Sequence, residues 1–196
     1  MTNTRKTSTK TLVLYGLLTA IIVLMAFTPV GYLKTFGVEI SFLIIPVIVG
    51  AVVLGPGAGA FLGGVFGITS FAQCFGMSPF GMELMAINPV FTFITCVFTR
   101  ILMGFFCGLI FKTIKNKGKT IPYIISSISG ALLNTLFFVL AIILLFGNSD
   151  YIKAMQGGKN VLAFFVAFVG FNGFVEAIVA AVAGTAISKA VAKISK

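Results

Sequence analysis

"NPVFTFITCVFTRILMGFFCGLIFK", residues 88–112, is a long apolar run broken internally by a single cation, Arg100. A bilayer crossing takes about 20 such residues, and roughly 17–25 are tolerated. The rest of the chain points the same way. Hydrophobic residues make up 59% of the 196, charged residues 9%, and the mean hydropathy is +1.14. Soluble domains carry about a quarter charged residues, so this surface cannot face water. The chain reads as an integral membrane protein.

Outward from that run, five more candidate spans emerge at 11–28, 39–54, 58–76, 121–147 and 160–188. The expected architecture is all-α, six transmembrane helices in one compact bundle, with residues 1–196 forming a single domain. The span at 39–54, "EISFLIIPVIVGAVVL", is short and carries Pro46, so a kink or tilt is expected there. "LGPGAG" at 54–59 reads as a tight turn. Because five spans follow it, the first one, behind Arg5, Lys6 and Lys10, reads as a retained anchor rather than a signal peptide.

Positive charge sets the direction. Arg5, Lys6 and Lys10 precede the first span; Lys112, Lys115, Lys117 and Lys119 follow the fourth; Lys189, Lys193 and Lys196 end the chain. With six spans all ten fall on one side. The other side has Lys34, Lys153 and Lys159 against Glu39, Glu83 and Asp150. Both termini are therefore expected in the cytoplasm, and the net charge of +10 meets anionic lipid rather than nucleic acid. "GKT" at 118–120 is no phosphate-binding loop, because Thr113 stands where the motif requires its first glycine.

Histidine is absent, which removes the commonest general base and metal ligand. Cys74, Cys96 and Cys107 sit in apolar runs without CxxC spacing and read as inert packing rather than as disulfides or metal ligands. No metal or cofactor is expected. Enzyme chemistry in the membrane needs clustered acids, histidine or a serine–lysine pair. One intramembrane acid does not provide it.

That acid is Glu176, in "FNGFVEAIVAA" at 171–181. Arg100 is its only possible countercharge within the spans, and each costs about 2.5–3.5 kcal/mol at the bilayer centre, so neither should face lipid. Asn172 lies four residues before Glu176 on the same helix face, and Asn134 falls near the middle of the fifth span. Two arrangements remain open. Arg100 and Glu176 form a buried ion pair that holds the bundle, or Arg100, Asn134 and Asn172 face a polar ligand with Glu176 orienting the guanidinium. Tyr32, Gln73 and Asn88, near the ends of spans or loops on the outer side, complete the candidate binding set. "TPVGYLKTFGVE" (28–39) and "CFGMSPFGMELMAIN" (74–88) could fold back over a cavity.

Small residues mark three close-packing faces: Gly16 and Ala20; Gly59, Gly63 and Gly67; Gly104 and Gly108. At least one is expected to meet another protein.

Taken together, "YGLLTAIIVLMAF" (15–27), "VVLGPGAGAFLGGVFGITSF" (52–71) and "FTRILMGFFCGLIFK" (98–112) resemble the substrate-binding S-components of energy-coupling factor (ECF) vitamin transporters. "INPVFTFITCVFTRILMG" (87–104) and "GFNGFVEAIVAA" (170–181) are most similar to the pantothenate type. The resemblance implies a vitamin-binding subunit in a bacterial cell membrane. It implies partners too: a transmembrane scaffold, reached through Gly16 and Ala20 in place of an alanine-xxx-alanine motif, and two cytoplasmic ATPase subunits. It further implies closure of the first and third loops over substrate and a bodily tilt to release it. Pantothenate carries a carboxylate, two hydroxyls and an amide, which suit one guanidinium and two asparagines. Riboflavin, thiamine or a cobalamin-type ligand would fit the same fold. A self-sufficient carrier or an assembly protein are the readings outside it.

Overall fold

A computed structural model describes residues 9–29, 31–34, 39–156, 170 and 173–195. Apart from connecting turns and one short antiparallel ladder, these are helical. The order is α1 (Thr9–Ala26), β1 (Tyr32–Lys34), β2 (Glu39–Ser41), α2 (Ile44–Leu54), α3 (Pro56–Gln73), α4 (Pro79–Ile87), α5 (Pro89–Phe93), a π turn (Ile94–Phe98), α6 (Thr99–Ile114), α7 (Ile121–Phe146) and α8 (Asp150–Gln156). A C-terminal helix, Gly173–Ile194, contains a second π turn at Ala180–Gly184.

Four helices are long and apolar enough to cross a membrane: Thr9–Ala26, Pro89–Ile114, Ile121–Phe146 and Gly173–Ile194. They match the first, fourth, fifth and sixth expected spans, although 160–169, 171 and 172 lie outside the described residues. The second expected span differs most. Residues 39–41 pair with 32–34 as a strand, Tyr32 opposite Ser41 and Lys34 opposite Glu39, so the helix starts only at Ile44. Its 11 residues rise about 16 Å, half a bilayer core. Starting there also puts Pro46 in the first turn, where no intrahelical hydrogen bond is lost, so the expected kink has no cause. The third, α3, has 18 residues, but five glycines dilute its apolar character.

Gly55 makes the break between α2 and α3. Its φ of 103° lies in the region that side chains avoid, and Pro56 then starts α3 with φ preset for a helix.

Three of the glycines of α3 face inward. A methyl group at Gly59 would collide with the Gly104 carbonyl, one at Gly63 with the Arg100 carbonyl, and one at Gly67 would lie 2.6 Å from the Val97 Cα. Gly108 in turn abuts Pro56. Two of the three small-residue faces therefore pack on each other and set the seam between α3 and the Pro89–Ile114 helix. Gly16 differs: a Cβ there meets nothing within 4 Å, and Ala20 is exposed beside it.

The main core joins α1, α2, α3, α6 and α7 through Ile22, Ile48, Leu62, Phe66, Met103 and Ala131. A smaller cluster of Leu84, Ile142, Phe146 and Ile152 seats the short helices α4 and α8 against α7. Neither short helix was expected. Ser78 caps α4, its hydroxyl accepting from the Gly81 N–H at 3.3 Å.

Candidate substrate-binding site

Arg100 is 8% exposed at the start of α6. Its Nη1 donates to the Thr95 carbonyl at 2.8 Å and to the Thr99 hydroxyl at 3.0 Å. The π turn just before it explains that anchor, since π turns interrupt the ordinary ladder of helix hydrogen bonds and recur at functional sites. The guanidinium lies between two rings, 5.4 Å from the Phe66 centroid and 5.0 Å from that of Phe138. A desolvated cation–π contact contributes about 2 kcal/mol. Arg100 Nε is buried with no hydrogen-bond partner among the described residues.

Glu176 is 5% exposed and held elsewhere. Its Oε1 accepts from the backbone N–H of Ser41 at 2.8 Å, and its Oε2 from Asn134 Nδ2 at 3.4 Å. Both oxygens of this buried carboxyl group are thereby given hydrogen-bond donors, as a buried polar group requires. Among the described residues, Arg100 and Glu176 form no direct ion pair; the pairing weighed above gives way to separate anchors for each.

The remaining expected residues divide. Tyr32 is half-buried at the start of β1, against the main core. Gln73 is buried and its Nε2 donates to the Ala26 carbonyl, clipping the end of α3 to the end of α1. Asn88 Oδ1 accepts from Val90 N at 3.0 Å and Phe91 N at 3.1 Å, capping α5. Asn172 lies outside the described residues. Five residues escaped the sequence reading: Ser41, Thr95 and Thr99, which hold the charged groups, and Phe66 and Phe138, which cover Arg100. A hydroxyl one residue before the arginine was a usable signal for Thr99, whereas Thr95 acts through its backbone carbonyl, which any residue would supply. No signal singled out two phenylalanines among 22.

Phe138 extends the site toward the short helices. Its ring is 6.3 Å from that of Phe80 on α4, which is 6.2 Å from that of Tyr151 on α8. Burial raises the Tyr151 phenol above its ordinary pKa, and the charge of Glu83 adds to this.

A buried guanidinium with an idle donor, set among apolar helices, suits capture of a small anion. In comparison with known proteins, residues 10–187 match the family described as "ECF transporter, substrate-specific component". The chain belongs to that family. It is thus a transporter component of a multi-pass membrane protein class, not an enzyme class. Among its relatives are the "Pantothenate transporter PanT" of Leuconostoc mesenteroides, 28% identical over 96% of this chain and 95% of that one. The "Pantothenic acid transporter PanT" of Lactococcus lactis is 30% identical over 81% of this chain and 80% of the relative. An ECF substrate-specific component works in general with a vitamin and with a scaffold–ATPase module.

Proposed function

We propose that this S-component binds pantothenate and that Arg100 receives its carboxylate. The observation that carries the reading is the buried Nε of Arg100, which has no hydrogen-bond partner among the described residues. Buried polar atoms are nearly always satisfied, so an idle one calls for a partner. With Nη1 already engaged, the Nε edge of the guanidinium is the side open to a carboxylate, and bidentate pairing is the strong geometry for that pair. Names of the two relatives support the choice of vitamin.

Around that contact, Asn134 offers an amide beside Glu176, and Asn172 is proposed to add a second for the ligand's hydroxyls. Tyr32 is proposed to line the outer approach, with Gln73 and Asn88 holding the helix ends around it. Residues 1–196 form one membrane domain with six crossings, α2 and α3 together supplying the second and third. Both termini lie in the cytoplasm of a bacterial cell, by the lysine distribution. The exposed notch of Gly16 and Ala20 is the face that meets the scaffold, which carries two ATPase subunits.

Uptake of labelled pantothenate into vesicles tests the assignment. Accumulation is expected only when scaffold, ATPases and this chain are present together. Accumulation by the chain alone would make it a self-sufficient carrier.

A further inference from the structure

Away from the polar site, the fold brings together two thiols 22 residues apart in sequence. The Sγ atoms of Cys74 and Cys96 are 3.9 Å apart, and each side chain is 5% exposed. Their spacing in sequence gave no hint of this, and inert packing was the expectation. The pair arises because α3 lies directly on the π turn. A Cβ at Gly67 would sit 2.8 Å from the Cys96 carbonyl oxygen, so the two backbones touch. Gly81 leaves the room that the Cys74 sulfur occupies, since a Cβ there would be 2.6 Å from it.

We propose that Cys74 and Cys96 are an oxidisable dithiol, a redox modification site that can join the C-terminal end of α3 to the π turn anchoring Arg100. A disulfide has an S–S length of about 2.05 Å, so the sulfurs close by about 2 Å. The surroundings are Val97, Phe71, Met85 and Ile101, with Phe75 and Phe93 exposed at the edge. That lining selects an apolar oxidant, and a small organic disulfide, RS–SR, has the right chemistry. One cysteine attacks it as thiolate, forming a mixed disulfide and expelling RS⁻. The second thiolate then displaces the other RS⁻ and closes the Cys74–Cys96 bond. Both protons pass to the departing thiolates, so the protein is oxidised by two electrons and the reagent becomes two RSH.

Bridging has a consequence at the arginine. Cys96 adjoins Thr95, whose carbonyl accepts from Arg100 Nη1 at 2.8 Å. Drawing Cys96 toward Cys74 displaces that acceptor and loosens the guanidinium. This consequence rests on the ligand reading above; the bridge itself does not.

The test uses the full chain in lipid nanodiscs with Cys107→Ala, treated with 4,4′-dithiodipyridine. Two thiopyridones should be released per chain, with no pyridyl group retained and a Cys74–Cys96 crosslinked peptide in the mass spectrum. Adding Cys74→Ser or Cys96→Ser should leave one retained pyridyl group. Stable pyridyl adducts on both cysteines, or no reaction until the chain is denatured, would overturn the proposal. The three-cysteine chain treated with the same reagent should give the same crosslinked peptide, which guards against a folding defect in the variants. Pantothenate affinity should fall about tenfold on bridging, the size of one lost hydrogen bond to a charged group, and recover with dithiothreitol. Equal affinity in bridged and reduced protein would overturn the link to Arg100. Failure of the reduced protein to bind pantothenate would count against the ligand reading instead.

Discussion

The backbone N–H of Ser41 donates to Glu176 Oε1 at 2.8 Å, across 135 residues of chain. This bond ties the strand before α2 to the C-terminal helix, and Asn134 brings α7 to the same carboxyl group. An acid in an apolar helix is thus accounted for without Arg100, whose guanidinium is stacked and anchored separately. Separate anchors leave the Nε of that cation without a hydrogen-bond partner among the described residues.

Removing the acid should be costly. Glu176→Ala leaves the Ser41 amide and the Asn134 side chain without their acceptor, at about 1–3 kcal/mol for each buried group left unsatisfied. A lower melting temperature in detergent is expected. Glu176→Gln should lose less, because an amide oxygen still accepts from Ser41 and Asn134 can turn its own oxygen inward. Equal melting of the alanine variant and wild type would mean that the Ser41 bond contributes nothing.

The aromatic cover should tune affinity rather than fold. Phe138→Leu removes one face from the guanidinium, and a cation–π contact contributes about 0.5–2 kcal/mol. Titration calorimetry should give a roughly two- to thirtyfold weaker pantothenate affinity, with an unchanged helical circular dichroism spectrum. Unaltered affinity would remove Phe138 from the site.

Two glycines make opposite predictions. Gly59→Ala forces a methyl group into the Gly104 carbonyl, and overpacking of this kind costs about 1–3 kcal/mol. A melting curve should register it. Gly16→Leu points into open space; stability and vitamin binding should survive while uptake with scaffold and ATPases is lost. Uptake that persists would place the docking face elsewhere.

Much of this was legible in the sequence, for identifiable reasons. The long apolar runs at 88–112 and 121–147 reappear as Pro89–Ile114 and Ile121–Phe146, because in lipid a continuous apolar stretch has little alternative to a helix. The family, too, was visible in the motifs. Scarcity of charge exposed Arg100 and Glu176, and the structure buries both. What sequence could not supply was pairing across distance. Glu176 meets a backbone amide in a strand that was read as the start of a helix, and Cys74 meets Cys96 only through the α3 seam. Backbone partners carry no side-chain signature. Glycine stripes are equally mute about their partner: those on α3 and α6 pack on each other, while Gly16 stays open.

Titration of the purified wild-type protein with pantothenate and with its alcohol analogue, panthenol, tests the carboxylate–Arg100 contact most directly, alongside Arg100→Lys. Tight binding of pantothenate, little or none of panthenol, and loss of pantothenate binding in the folded lysine variant are expected, because lysine keeps the charge but not the guanidinium edge. Equal affinity for acid and alcohol in the wild type would contradict the account.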